Sequence, residues 1–161
     1  DVFPSGGRRR EKDTMKIRFV LMVNKQGQTR LAQYYGKTLT IQEKAATEGE
    51  IIRKCLARTE NQCSFIEYQD FKCVYRRYAS LFFIVGVDGQ TNELGVLELI
   101  HSLVETLDKY FENVCELDIM FNLEKAHFIL DEMICNGHIM ETNRQNILHP
   151  MKLMTKHQSK K

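Results

Sequence analysis

The chain has 161 residues, 43% hydrophobic and 27% charged, with a net charge of +2. That is enough for one domain with a proper core and ordinary globular composition. No apolar run approaches the roughly 20 residues needed to cross a bilayer, and no signal-peptide core opens the chain. The expectation is a cytoplasmic protein that meets membranes only through partners.

Charge is unevenly spread, because residues 142–161 carry five basic residues and no acid. No aromatic or Arg cluster accompanies them, so this end reads as solvated and not as a nucleic-acid interface. The cysteines stand at 55, 63, 73, 115 and 135, without a C-x-x-C pair. They read as reduced and mostly buried.

Residues 1–14, with a Pro, two Gly and a charge run, read as a flexible lead-in. Residues 16–23 make a strand with Ile17, Phe19, Leu21 and Val23 on one face, Val20 and Met22 on the other. Apolar residues on both faces place it inside a sheet. A turn at 24–27, with Gly27 at positive φ, leads into a second strand at 28–35 that leaves Arg30 at the surface. Thr40 and Glu43 form a capping box that opens a helix to about Arg58. Ile41, Ala45, Ile52, Cys55 and Leu56 form its inner stripe, and Gly49 weakens it by about 1 kcal/mol against Ala.

Strands at 63–68, 71–78 and 80–87 follow, the first two joined by a turn at Gln69-Asp70. The third is nearly all apolar and belongs deep in the sheet. The loop at 88–92 caps a helix over 92–111. Val96, Leu97, Ile100, Leu103, Val104, Leu107 and Phe111 form its apolar face. Glu105 and Lys109 make an i,i+4 pair, and Leu99 falls off the stripe, where it would face a partner.

Residues 110–137 read as a helix end, a buried turn and a second helix. Asn122 is its N-cap and Gly137 its stop. Leu123, Ala126, His127, Leu130, Met133 and Ile134 recur at helical spacing. Thr142 and Gln145 form a last capping box before Pro150. The order β-β-α-β-β-β-α-α-α fits an α/β (α+β) domain, a largely antiparallel sheet with helices on both faces.

Catalytic signatures are missing: there is no G-x-S-x-G, P-loop or dinucleotide fingerprint. His127 and Asp131 could share a proton at i,i+4, but the pair reads better as an ordinary helix hydrogen bond. Cys115 beside Glu116 has no electropositive setting to activate a thiolate. Cys115, Cys135, His127 and His138 match no zinc spacing. The reading is a non-enzyme with no cofactor and no metal.

Four blocks carry a family resemblance: LMVNKQGQTRL (21–31), CSFIEYQDFKCVYRRYASLFF (63–83), LELIHSLVETLDKYF (97–111) and FENVCELDIMFN with ILDEM (111–133). Together they resemble the small (sigma) chains of heterotetrameric clathrin-adaptor-type complexes, over residues 15–156. Within that family, NKQGQTRL, SFIEYQDFK, IMFNLEKAHFILDEM and METNRQNILHP are most similar to the branch of the fourth adaptor complex. The resemblance implies a longin-like fold, a five-stranded sheet between helices. It makes residues 1–14 an extension before a starting Met15, and 157–161 a basic tail.

It also implies partners: large adaptin chains and a medium (mu) chain in a heterotetramer, and cargo tails with acidic dileucine signals. Membrane contact would come through the complex, peripherally at the trans-Golgi network, endosomes or coated vesicles. Arg30 aligns with the basic residue that faces the signal's acid. Ala79, Leu81, Val104, Asn113, Val114, Leu117 and Ile119 align with the leucine pocket. Lys25 stands where some members have Arg, and Tyr34 where several have Trp. By residue type alone, Ala79, Leu81, Val104 and Leu117 read as core, and Arg30 as a solvated strand charge. The rival reading is a stand-alone longin-type regulatory module. A fusion protein of that kind would need long heptads and a membrane anchor, and neither is present in the sequence.

Overall fold

A computed structural model describes residues 16–36, 40–58, 64–89, 91–135, 138–139 and 148. Five strands form the main sheet: β1 (Ile17–Asn24), β2 (Thr29–Tyr34), β3 (Phe65–Tyr68), β4 (Phe71–Tyr78) and β5 (Leu81–Asp88). Their order is β2-β1-β5-β4-β3, and every neighbouring pair is antiparallel. The helices are α1 (Ile41–Leu56), α2 (Glu93–Phe111), α3 (Glu116–Phe121) and α4 (Leu123–Met133). A two-residue pair, β6 (Ile134–Cys135) and β7 (His138–Ile139), follows α4.

Strands β1 and β5 lie inside the sheet and are apolar on both faces, as their sequences require. One face carries Val20, Met22, Phe83, Val85 and Val87, which pack with α2 and α4 through Ile100, Leu103, Leu107, Ile129 and Leu130. The other carries Phe19, Leu21, Val23, Cys73 and Ile84 against Ile51, Ile52 and Cys55 of α1. Helices therefore cover both faces of the antiparallel sheet, which is the longin-like arrangement.

Several details of packing differ from the sequence expectations. Ile17 packs with Val20 and Met22, because the β1–β5 register shifts between Ile17 and Phe19 and turns Ile17 to the other face. Ile41 is 86% exposed and Ala45 is exposed, so only the later part of α1 meets the sheet. Leu99 is buried, because α2 packs on the sheet and on α4 together and so buries a wide arc. The helix beginning at Leu123 ends at Met133, short of Gly137, and the chain enters β6. Apart from Leu148, which is helical and buried, the expected helix after Thr142 lies outside the described residues, as do the side chains of the cysteines at 63 and 135.

Caps agree better. Thr40 Oγ1 accepts from Glu43 N, and Glu43 Oε2 accepts from Thr40 N. Asn92 Oδ1 accepts from Leu94 N at the start of α2. Asn122 is the N-cap residue of α4, as expected, but its side-chain amide donates to Asp118 O, closing α3, and makes no cap bond to α4.

Candidate functional site

The site is built where the β1–β2 turn, the β4–β5 turn, the end of α2 and helix α3 come together. Asn24 ends β1 and is only 2% exposed. Its Oδ1 accepts from Gln26 N at 3.1 Å and Gln28 N at 2.8 Å, an Asx-type clamp that holds the turn. Gly27 completes that turn at φ +84°. Across the sheet, Asn24 is the register partner of Leu81, the first residue of β5.

Asn24 and the turn position Arg30. Asn24 Nδ2 donates to Gln28 Oε1 and to Glu116 Oε1, each at 2.9 Å. Arg30 Nε donates to the same Glu116 oxygen at 2.6 Å, and its Nη2 donates to Gln28 Oε1 at 2.8 Å. Arg30 was expected as a free surface cation. The structure instead pairs it with a carboxylate 86 residues further on, with both side chains about three-quarters covered (25% and 24% exposed). The bonds from Asn24 and Arg30 hold the Glu116 carboxyl below the usual carboxylate range.

Helix α3, which the sequence reading missed, carries Glu116. Glu112 and Asn113 take positive φ (51° and 74°) and swing the chain out of α2. Asp108 then fixes the exit, with Oδ1 accepting from Val114 N at 3.0 Å. The same oxygen accepts from Tyr78 Oη at 3.1 Å, tying α2 to the β4–β5 turn. Cys115 N donates to Asp118 Oδ2 at 2.9 Å, capping α3.

The apolar half of the expected pocket divides in two. Leu81, Val104, Val114 and Ile119 are all buried in the main core. Ala79 (φ +52°), Asn113 and Leu117 reach the surface, and Leu117 is 58% exposed. Beside them, between β4 and α2, lies a shallow depression of about 200 Å³. Arg76, Tyr78, His101, Val104, Glu105 and Asp108 line it. Sequence reasoning missed Asn24, Gln28, Glu116, Tyr78 and Asp108. Only Asn24, at the head of a Gly turn, left a local signal.

Cys55 and Cys73 are buried thiols whose pKa is pushed up to about 12, chiefly by desolvation. Among the described residues, no group of three or more His, Cys, Asp or Glu side chains could hold a metal ion. Among the same residues, no helix is long and apolar enough to cross a membrane.

Fold and sequence together define the class. The family model described as "Clathrin adaptor complex small chain" matches residues 16–158, and the chain belongs to that family. It is 68% identical to the AP-4 complex subunit sigma of Arabidopsis thaliana over 88% of this chain and 99% of the relative. It is 56% identical to the AP-4 complex subunit sigma-1 of Homo sapiens, covering 87% and 96%. A chain in a homology model of the full-length AP-3 complex superposes with a TM-score of 0.71 at 28% identity, covering 89% of this chain and 96% of that one. The protein is therefore a non-enzymatic small subunit of an adaptor complex that serves vesicle traffic, associated peripherally with coats.

Proposed function

We propose that this corner of the small chain reads acidic dileucine signals on cargo tails. It does so inside a complex with two large adaptin chains and a medium chain, at the trans-Golgi network. The observation that carries the reading is convergence. Arg30, Ala79, Leu81, Val104, Asn113, Val114, Leu117 and Ile119 come from four separate segments, and the fold gathers them into one corner beside Asn24 and Glu116. Two leucines need apolar walls, and an upstream acid needs a cation at the rim. Leu81, Val104, Val114 and Ile119 supply the walls, and Arg30 the cation.

Those four walls are buried in the core here, so seating leucines requires α3 to part from the β4–β5 turn. Glu112 and Asn113, both at positive φ, are the joint about which α3 would move. The AP-4 similarity supports the branch. Exposed Leu117, Met120, Phe121 and Leu123 form an apolar edge on α3 and the start of α4. Such an edge suits coverage by a neighbouring subunit.

The test is peptide binding to a reconstituted complex containing this chain. A peptide with Glu upstream of Leu-Leu should bind, and changing Leu-Leu to Ala-Ala should weaken it at least about tenfold. Equal binding of the two peptides would refute the reading.

A further inference from the structure

We infer that Glu116 is a built-in competitor for Arg30, so that the pair must open before the site reads an acidic residue. This rests on the proposed signal-binding role and concerns its regulation. Three observations carry it. The Arg30 Nε, at 2.6 Å from Glu116 Oε1, is already committed to a carboxylate. The Nη2 is committed to Gln28 Oε1 at 2.8 Å. Together Arg30 and Glu116 form a neutral unit, so the pair itself offers a peptide acid no net positive charge.

The pair is built to open without stranding a charge. Glu116 keeps the Asn24 amide at 2.9 Å when Arg30 leaves it, and part of its side chain faces water. Arg30 keeps Gln28. Opening therefore exchanges one carboxylate for another on the same guanidinium, with no buried ion left unpaired.

The experiment uses the reconstituted complex and two peptides, one with Glu upstream of Leu-Leu and one with Gln in its place. Their affinity ratio is measured for wild type, Glu116→Gln, and Glu116→Gln combined with Arg30→Gln. Glu116→Gln should raise the ratio in favour of the Glu peptide by about three- to tenfold. The added Arg30→Gln change should abolish the rise, which assigns it to Arg30 and not to exposed Lys25 in the neighbouring turn. If Glu116→Gln fails to assemble, Glu116→Asp, one methylene shorter, should raise the ratio by a smaller factor. An unchanged or lowered ratio overturns the inference while leaving leucine-dependent binding intact. Loss of leucine dependence in wild type itself overturns the proposed function, and this inference with it.

Discussion

Gly86 of β5 lies against the ring of Phe19 in β1. A Cβ placed on Gly86 would stand 2.2 Å from Phe19 Cε1 and 2.4 Å from Cζ. The two residues are register partners beside the shift at Ile17, and the Phe19 ring is buried over this gap. Phe19 also packs edge-on against Phe71 at 5.7 Å between centroids, so it has little room to withdraw. Gly86→Ala should cost about 1–3 kcal/mol by overpacking. Adding Phe19→Leu should recover part of that loss. Chemical denaturation of the four proteins checks it, and additive losses would show that the ring does not set the constraint.

Asp108 binds two segments through one oxygen, Val114 N and Tyr78 Oη. Asp108→Ala leaves the Val114 amide without its acceptor, at a cost of about 1–2 kcal/mol. Asp108→Asn keeps an acceptor oxygen and should cost less. Thermal unfolding distinguishes them. Hydrogen exchange at Val114 should accelerate in Asp108→Ala and stay slow in Asp108→Asn.

The Glu116 carboxyl is held low by Asn24 and Arg30, and Glu93 is held low by Lys72. A depressed folded pKa stabilises at pH above the unfolded value, about 4.3 for Glu. That stabilisation is lost as pH falls through the lower folded value. Wild type should therefore exceed Glu116→Gln in Tm at pH 7, and the gap should close as the pH drops below about 4. A gap that stays constant with pH would mean that charge plays no part in the Arg30–Glu116 contact.

Cys55 and Cys73 are buried with thiols pushed up to about 12, whereas Cys115 is exposed. Iodoacetamide at neutral pH should therefore modify Cys115 well before either of them. Peptide mass mapping over time checks the order. Early labelling of Cys73 would show that the sheet opens there more readily than its packing implies.

The β1–β2 and β3–β4 hairpins and α2 were legible in the sequence, because turn residues, alternation and a long apolar stripe survive in local pattern. Helix α3 was not, since its six residues are too few to show a helical period. Leu99 was misread because a stripe marks one face, while α2 packs between sheet and α4. Ile41 and Ala45 were misread because periodicity finds a face but not how far the sheet extends beneath it. The eight expected positions came from family resemblance, and their segments meet at one corner of the fold. By residue type Leu81 and Val104 read as core and are buried, whereas Ala79 and Leu117, read the same way, are exposed; the Glu116 partner of Arg30 depends on a contact far apart in the chain, which no local signal encodes.

The most direct measurement is photo-crosslinking. A dileucine peptide with a diazirine at each leucine position is bound to the reconstituted complex, irradiated and mapped. Signal reading by this corner predicts adducts on residues 79–81 and 113–119 of this chain, lost when Glu and Leu-Leu peptide competes. Adducts confined to other subunits, or spread over this chain without competition, would contradict it.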